Sequence, residues 1–265
     1  MFDGTSLLLL PAIGFLTGLV VGLTGVGGGS LMTPALIGIV GVPPAIAVGT
    51  DLLFAAITKS FGGWSHWRAG HVVKPLFWRL VLSSVIGASC FFTWLALAKP
   101  DVAQLNKTIR ISLGIAVLIT ASALVIRPWL MKWRMRFARD HVNEHAAPTA
   151  WAPLILGFVI GALVAVSSIG AGAIGVTALM LLFPLLPLRK IVGTDVAYAV
   201  PLTFLAGAAH AGFGNLNVSL LAALLVGSIP GILLGAKLCV RVPEVATRGL
   251  LIAMLTLAGW KLTHH

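Results

Sequence analysis

Apolar residues fill this chain almost without interruption. Ten apolar segments can be drawn, at about 7–24, 30–41, 45–62, 76–98, 108–126, 151–168, 173–186, 191–210, 218–236 and 247–262. A helix that spans a bilayer needs about 20 such residues. A transmembrane barrel would instead show short strands of alternating character, and these runs are continuous. Charged residues make up only 9% of the chain and hydrophobic ones 58%, whereas a soluble domain carries about 25% charged residues. So few charges cannot cover a water-facing surface, and disorder would need low hydrophobicity and high charge. The expected fold is an all-α polytopic membrane protein with about ten transmembrane segments, two of them short or broken. The run from Leu7 to Leu23 has no basic residues before it, so it reads as a first span rather than a cleaved leader.

The only long polar stretch, 127–150, divides the chain into a first repeat (1–126), a basic linker and a second repeat (151–265). At an offset of 144, Val48-Gly49-Thr50-Asp51 falls on Val192-Gly193-Thr194-Asp195. The same offset places Gly63 on Gly207, His66 on His210, Gly70 on Gly214 and Gly87 on Gly231. The glycine run Gly25-Val26-Gly27-Gly28-Gly29 falls on Ile169-Gly170-Ala171-Gly172-Ala173 with one residue of slack. Matching apolar stretches arise easily by chance. An acidic residue inside a repeated four-residue unit, followed fifteen residues later by His in both copies, does not. Five crossings per half would set the halves in opposite orientation, the inverted-repeat plan of many secondary transporters.

Net charge is +11, from 18 Lys+Arg against 7 Asp+Glu. In a soluble protein that would suggest nucleic acid; here the cations lie between apolar runs and orient the chain in a membrane. With all ten segments crossing and the linker inside, only Lys99, Lys107, Arg110 and Lys261 fall outside, leaving 14 of the 18 basic residues within. That arrangement makes the linker cytoplasmic and puts both termini outside. Trp64, Trp67, Trp78, Trp129, Trp133 and Trp151 then cluster near the inner boundary, as interfacial tryptophans should. Cys90 and Cys239 show no metal or disulfide spacing. No cofactor or metal is expected. Without a Gly-x-Ser-x-Gly elbow or a His-Glu-x-x-His motif, no enzyme activity is expected either.

Segments 30–41 and 173–186 rise only about 18 and 21 Å as helices, short of a hydrocarbon core of about 30 Å. Each follows a glycine-rich break and ends near prolines, Pro43 and Pro44 or Pro184 and Pro187. Such segments at matching places in two halves point to a transporter's central site. Gly27, Gly28, Gly29 and Ser30, with Gly170 and Gly172, could bring backbone N–H groups to an anion at a helix start; close helix packing is the alternative. Thr50 and Thr194 are candidate donors to the same ligand. Asp51 and Asp195 could cap helices, line a path, or relay protons. His66 and His210 could sense pH or touch an anion at opposite faces, or simply sit at the interface. Lys59, whose repeat partner is Thr203, either snorkels to the surface or supplies an anion-binding charge.

Gly25-Val26-Gly27-Gly28-Gly29-Ser30, the following Pro34, and the two Val-Gly-Thr-Asp units together resemble the sulfite exporter TauE/SafE family, over about 10–262. The second half departs from the glycine-rich form, with Ala171 and Ala173 in place of two glycines. The resemblance implies a multi-pass carrier of the bacterial inner membrane for sulfite or organosulfonate anions, often an exporter linked to sulfur metabolism. Its partners would be a small anion and the bilayer, with proton coupling one reading of the aspartates. An anion channel without coupling, or a biogenesis partner that transports nothing, are the alternatives.

Overall fold

The computed structural model describes residues 4–24, 29–140, 151–238 and 244–264. Among them the chain is helical and has no strands. The helices are α1 (Gly4–Thr24), α2 (Gly29–Ala35), α3 (Pro44–Arg68), α4 (Lys74–Ala98) and α5 (Val102–Asp140), then α6 (Ala152–Ser167), α7 (Ala173–Leu182), α8 (Leu188–Gly212), α9 (Val218–Leu238) and α10 (Glu244–His264). One helix falls on each expected apolar segment, so the fold is all-α and polytopic. By length and composition, α3, α4, α5, α8 and α9 are each able to cross a membrane. Side chains such as Leu16, Phe61, Ile86, Leu97 and Val226 are exposed, which suits a surface solvated by lipid. The six tryptophans expected at a boundary are exposed as well.

The two short segments are short helices. α7 has ten residues and α2 seven. Pro34 lies inside α2, and proline has no N–H to give to the helical ladder. From Leu36 to Val40 the winding widens to a π-helix, which ends at Gly41 in the left-handed region (φ 76°). Proline also marks helix starts. Pro44 opens α3, Pro187 precedes α8, and α4 and α6 carry proline in their first turn, where its missing N–H costs nothing.

The fifth helix runs well past its apolar segment. Residues 127–140 of the polar stretch continue α5, and residues 141–150 lie outside those described. Arg134 on this extension donates Nε to the Pro184 carbonyl at 2.7 Å and a second guanidinium nitrogen to the Leu186 carbonyl. The extension is thereby fastened to the connection between α7 and α8.

The main helix pairs are α1 with α9, α4 with α6, α3 with α8 and α5 with α10. Exchanging the two halves, by the 144-residue offset, turns the first pair into the second and maps the other two onto themselves. Glycines show the directions. Gly14 and Gly18 of α1 lie on the backbone of Leu224 and Ser228, and Gly227 and Gly231 of α9 lie on Pro11 and Phe15. These helices run parallel. So do α4 and α6, where Gly157 meets Leu80 and Gly161 meets Ser84. By contrast, Gly49, Gly63 and Gly207 place α3 antiparallel to α8, against Asn215, Ala197 and Leu53 in turn. Gly114 against Thr263 and Gly259 against Leu118 do the same for α5 and α10. Close approach through small residues is how helices pack where lipid removes the usual hydrophobic drive.

Candidate functional site

The repeated Gly-Thr-Asp unit sits where α3 crosses α8, and its three residues do three different things. A Cβ on Gly49 would collide with the Asn215 carbonyl, and one on Gly193 with the His71 carbonyl at 2.7 Å. Glycine therefore lets the loop of the opposite half rest directly on the helix. Next, Thr50 Oγ1 accepts the Asn217 N–H at 3.2 Å, and Thr194 Oγ1 accepts the Val73 N–H at 3.0 Å. Asn217 and Val73 immediately precede α9 and α4, so each threonine satisfies a helix start belonging to the other half. Both threonines were candidate ligand donors; the structure gives them a latching job that the sequence did not indicate.

The aspartates come third. Each lies seven residues after its helix opens, counting 44 to 51 and 188 to 195, so neither caps its own helix. Both are buried, at 0% and 1% exposure, and both turn toward the broken segments. Asp51 Oδ2 accepts the Thr33 hydroxyl of α2 at 2.5 Å. Ser168, at the end of α6, faces the same carboxylate. Asp195 faces the Gly172 N–H at the start of α7, and the missing side chain of Gly175 leaves room for its Oδ1.

The connection from α6 to α7 is the more completely described glycine loop. Ser168, Gly170 and Gly172 have φ of 60°, 145° and 128°, and glycine is the residue that adopts such values without strain. The turn closes through the Gly175 N–H on the Gly170 carbonyl at 2.9 Å. Of the first loop, Gly27 and Gly28 lie outside the described residues. Gly29 opens α2, and Ser30 is buried on it.

Lys59 joins these parts. Its Nζ donates to the Ala171 carbonyl at 3.2 Å, so the chain reaches across into the second loop rather than out to a membrane surface. It also lies within electrostatic reach of both Asp51 and Asp195. Oxygen atoms without a protein partner gather here: Asp51 Oδ1, Asp195 Oδ1, Ser168 Oγ and the Tyr198 hydroxyl. Buried polar atoms are ordinarily paired, so four together set this cluster apart from the rest of the fold. Tyr198 was not foreseen, although the only tyrosine of the chain, one helical turn beyond an intramembrane Asp, was a readable signal. Thr33 and Ser168 carried no such signal, because serine and threonine are common in apolar helices.

The two histidines end corresponding helices yet occupy unlike places. His210 is fully buried; its Nε2 lies 2.8 Å from the Ala165 carbonyl, and its ring packs edge-on against Phe92. His66 is half-buried, with its Nδ1 3.4 Å from Nδ1 of His71. Neither joins the aspartate cluster. An open apolar cleft of about 430 Å³ between α4 and α8 is lined by Phe92 and Leu202 among others, and by none of Asp51, Lys59 or Asp195.

The chain as a whole is similar to known proteins. The sequence profile described as Sulfite exporter TauE/SafE matches residues 10–262. The chain belongs to that family. Among its relatives is the probable membrane transporter protein YjnA of Bacillus subtilis (strain 168), 36% identical over 250 residues, which cover 94% of this chain and 97% of the relative. YdhB of the same organism, also called a probable membrane transporter protein, is 26% identical over 254 residues, 95% of this chain and 98% of its own length. YunE shares 40% over a stretch of 77 residues, 29% of this chain and 27% of its own. No solved structure matches the chain. As a TauE/SafE member with relatives of this kind, the protein is a multi-pass membrane transporter.

Proposed function

We propose that this TauE/SafE protein is a secondary carrier, and no enzyme, that exports small sulfur-containing anions, sulfite or organosulfonates, across a bacterial inner membrane. The two halves act as inverted repeats that rock against one another around a site at the α6–α7 loop. The observation that carries this reading is the meeting of Asp51, Asp195 and Lys59 with that loop where α3 crosses α8. Antiparallel crossing of repeat-related helices supports the inversion, since a two-fold axis perpendicular to them produces it. Lys59 and the start of α7 supply positive charge and N–H groups for an anion. Backbone broken at membrane depth persists only against protein or a wet cavity, and a wet cavity is what alternating access requires.

Vesicles containing the purified protein provide the test. The expected result is saturable uptake of radiolabelled sulfite, isethionate or sulfoacetate, accelerated by the same anion on the far side. Lys59→Met should abolish it. Flux that rises linearly without counter-exchange would identify a channel, and absence of flux for all three would reject the substrate class.

A further inference from the structure

The repeat supplies two carboxylates but one cation. Lys59 falls on Thr203 in the second half, and that threonine is turned back onto its own helix, its hydroxyl donating to the Ala199 carbonyl at 2.8 Å. Asp51 faces Thr33 of α2, Ser168 at the end of α6, and Lys59 of α3. Asp195 faces Lys59, the Gly172 N–H of α7, and Tyr198 of α8. With both carboxylates ionised the cluster carries one surplus negative charge, and a buried charge without a partner is among the costliest features a protein can hold. Hydroxyl and N–H partners soften that cost but bring no charge. The cheapest way to balance the cluster is a proton on one carboxylate, and each keeps an Oδ1 with no protein partner.

We propose that Asp51, Asp195 and Lys59 form a proton-binding site in which one lysine is shared by two carboxylates, so that the ligand-free protein holds one proton on the pair. The inference rests on the carrier reading only for its consequence. A singly charged anion held by Lys59 draws the lysine away from the remaining carboxylate, which then takes a second proton from a hydronium ion of the adjoining solution. For each anion bound one O–H bond of hydronium breaks, leaving water, and one carboxyl O–H bond forms; no bond of the anion breaks, and the cluster stays neutral throughout. Anion and proton therefore move together, in the same direction.

The resident proton can be tested without any substrate. Infrared spectroscopy of the purified protein at neutral pH should show the C=O stretch of a buried protonated carboxyl. Asp51→Asn and Asp195→Asn should each remove it, because the carboxylate that remains then has the lysine to itself. Lys59→Met should raise it about twofold, since two unpaired carboxylates must both protonate. Lys59→Arg should leave it unchanged, separating charge from packing. A wild-type protein without the band, or a band that survives in both Asn variants, overturns the proposal. In vesicles holding a pH-sensitive dye, isethionate should carry about one proton per anion, the count that keeps the cluster neutral. Isethionate uptake without protons would overturn the coupling and leave the carrier standing. No isethionate movement would reject the carrier reading for singly charged sulfonates, while the band pattern still decides the proton site.

Discussion

Gly193→Ala tests the contact that locks the halves together. A Cβ at Gly193 would stand 2.7 Å from the His71 carbonyl oxygen, 2.8 Å from the His71 Cβ and 3.1 Å from the carbonyl carbon. Two of these atoms are backbone, so no side-chain rotation relieves the clash and the α3–α4 loop must withdraw. Overpacking of this kind costs about 1–3 kcal/mol. The withdrawing loop also stretches the 3.0 Å bond from the Val73 N–H to Thr194, a further loss of about 0.5–1.5 kcal/mol. Against this, alanine in a helix interior is favoured over glycine by about 1 kcal/mol. The net expectation is a loss of about 2 kcal/mol. Unfolding of the purified protein by SDS in mixed micelles would measure it, with Gly212→Ala as the control, since a Cβ there meets open space. The control should stay within about 0.5 kcal/mol of the unmodified protein. The same loss should shrink when Thr194→Ala is already present, because the two changes damage one contact. If Gly193→Ala proves as stable as the control, the loop does not rest on the helix and the explanation of the repeated glycine fails.

Two further outcomes are expected. Gly172→Ala forces a side chain into φ 128°, which should cost about 1–3 kcal/mol; it should also weaken anion uptake by displacing the Gly172 N–H from Asp195, and unchanged uptake kinetics would exclude that loop from the transport path. In a background without Cys90 and Cys239, a cysteine at position 103 should react with an impermeant thiol reagent from outside and one at position 140 should not; the opposite pattern would reverse the topology.

Much of the architecture was legible beforehand because a bilayer constrains sequence so heavily. Continuous apolar runs can satisfy their backbone in lipid only as helices, so ten runs foretold ten helices. The 144-residue offset alone singles out Gly-Thr-Asp, since an acidic residue is too costly in a span to recur idly. Other features lay beyond the sequence. Composition breaks at Arg127, yet α5 continues to Asp140, because Arg134 finds carbonyls at Pro184 and Leu186 that are distant in the chain. The threonines look alike as donors or as caps until Asn217 and Val73 are seen beside them. His66 and His210 match in register but not in surroundings, because the offset says nothing of neighbours from other helices. Lys59 shows the same limit: its residue type suggests a route to the surface, and only the crossing of α3 with α8 brings the Ala171 carbonyl and two buried carboxylates within its reach. Local physics and lipid solvation decide which segments are helices and which residues are too costly to be accidental; which of those residues meet depends on contacts between segments over a hundred positions apart, and those exist only once the helices have packed.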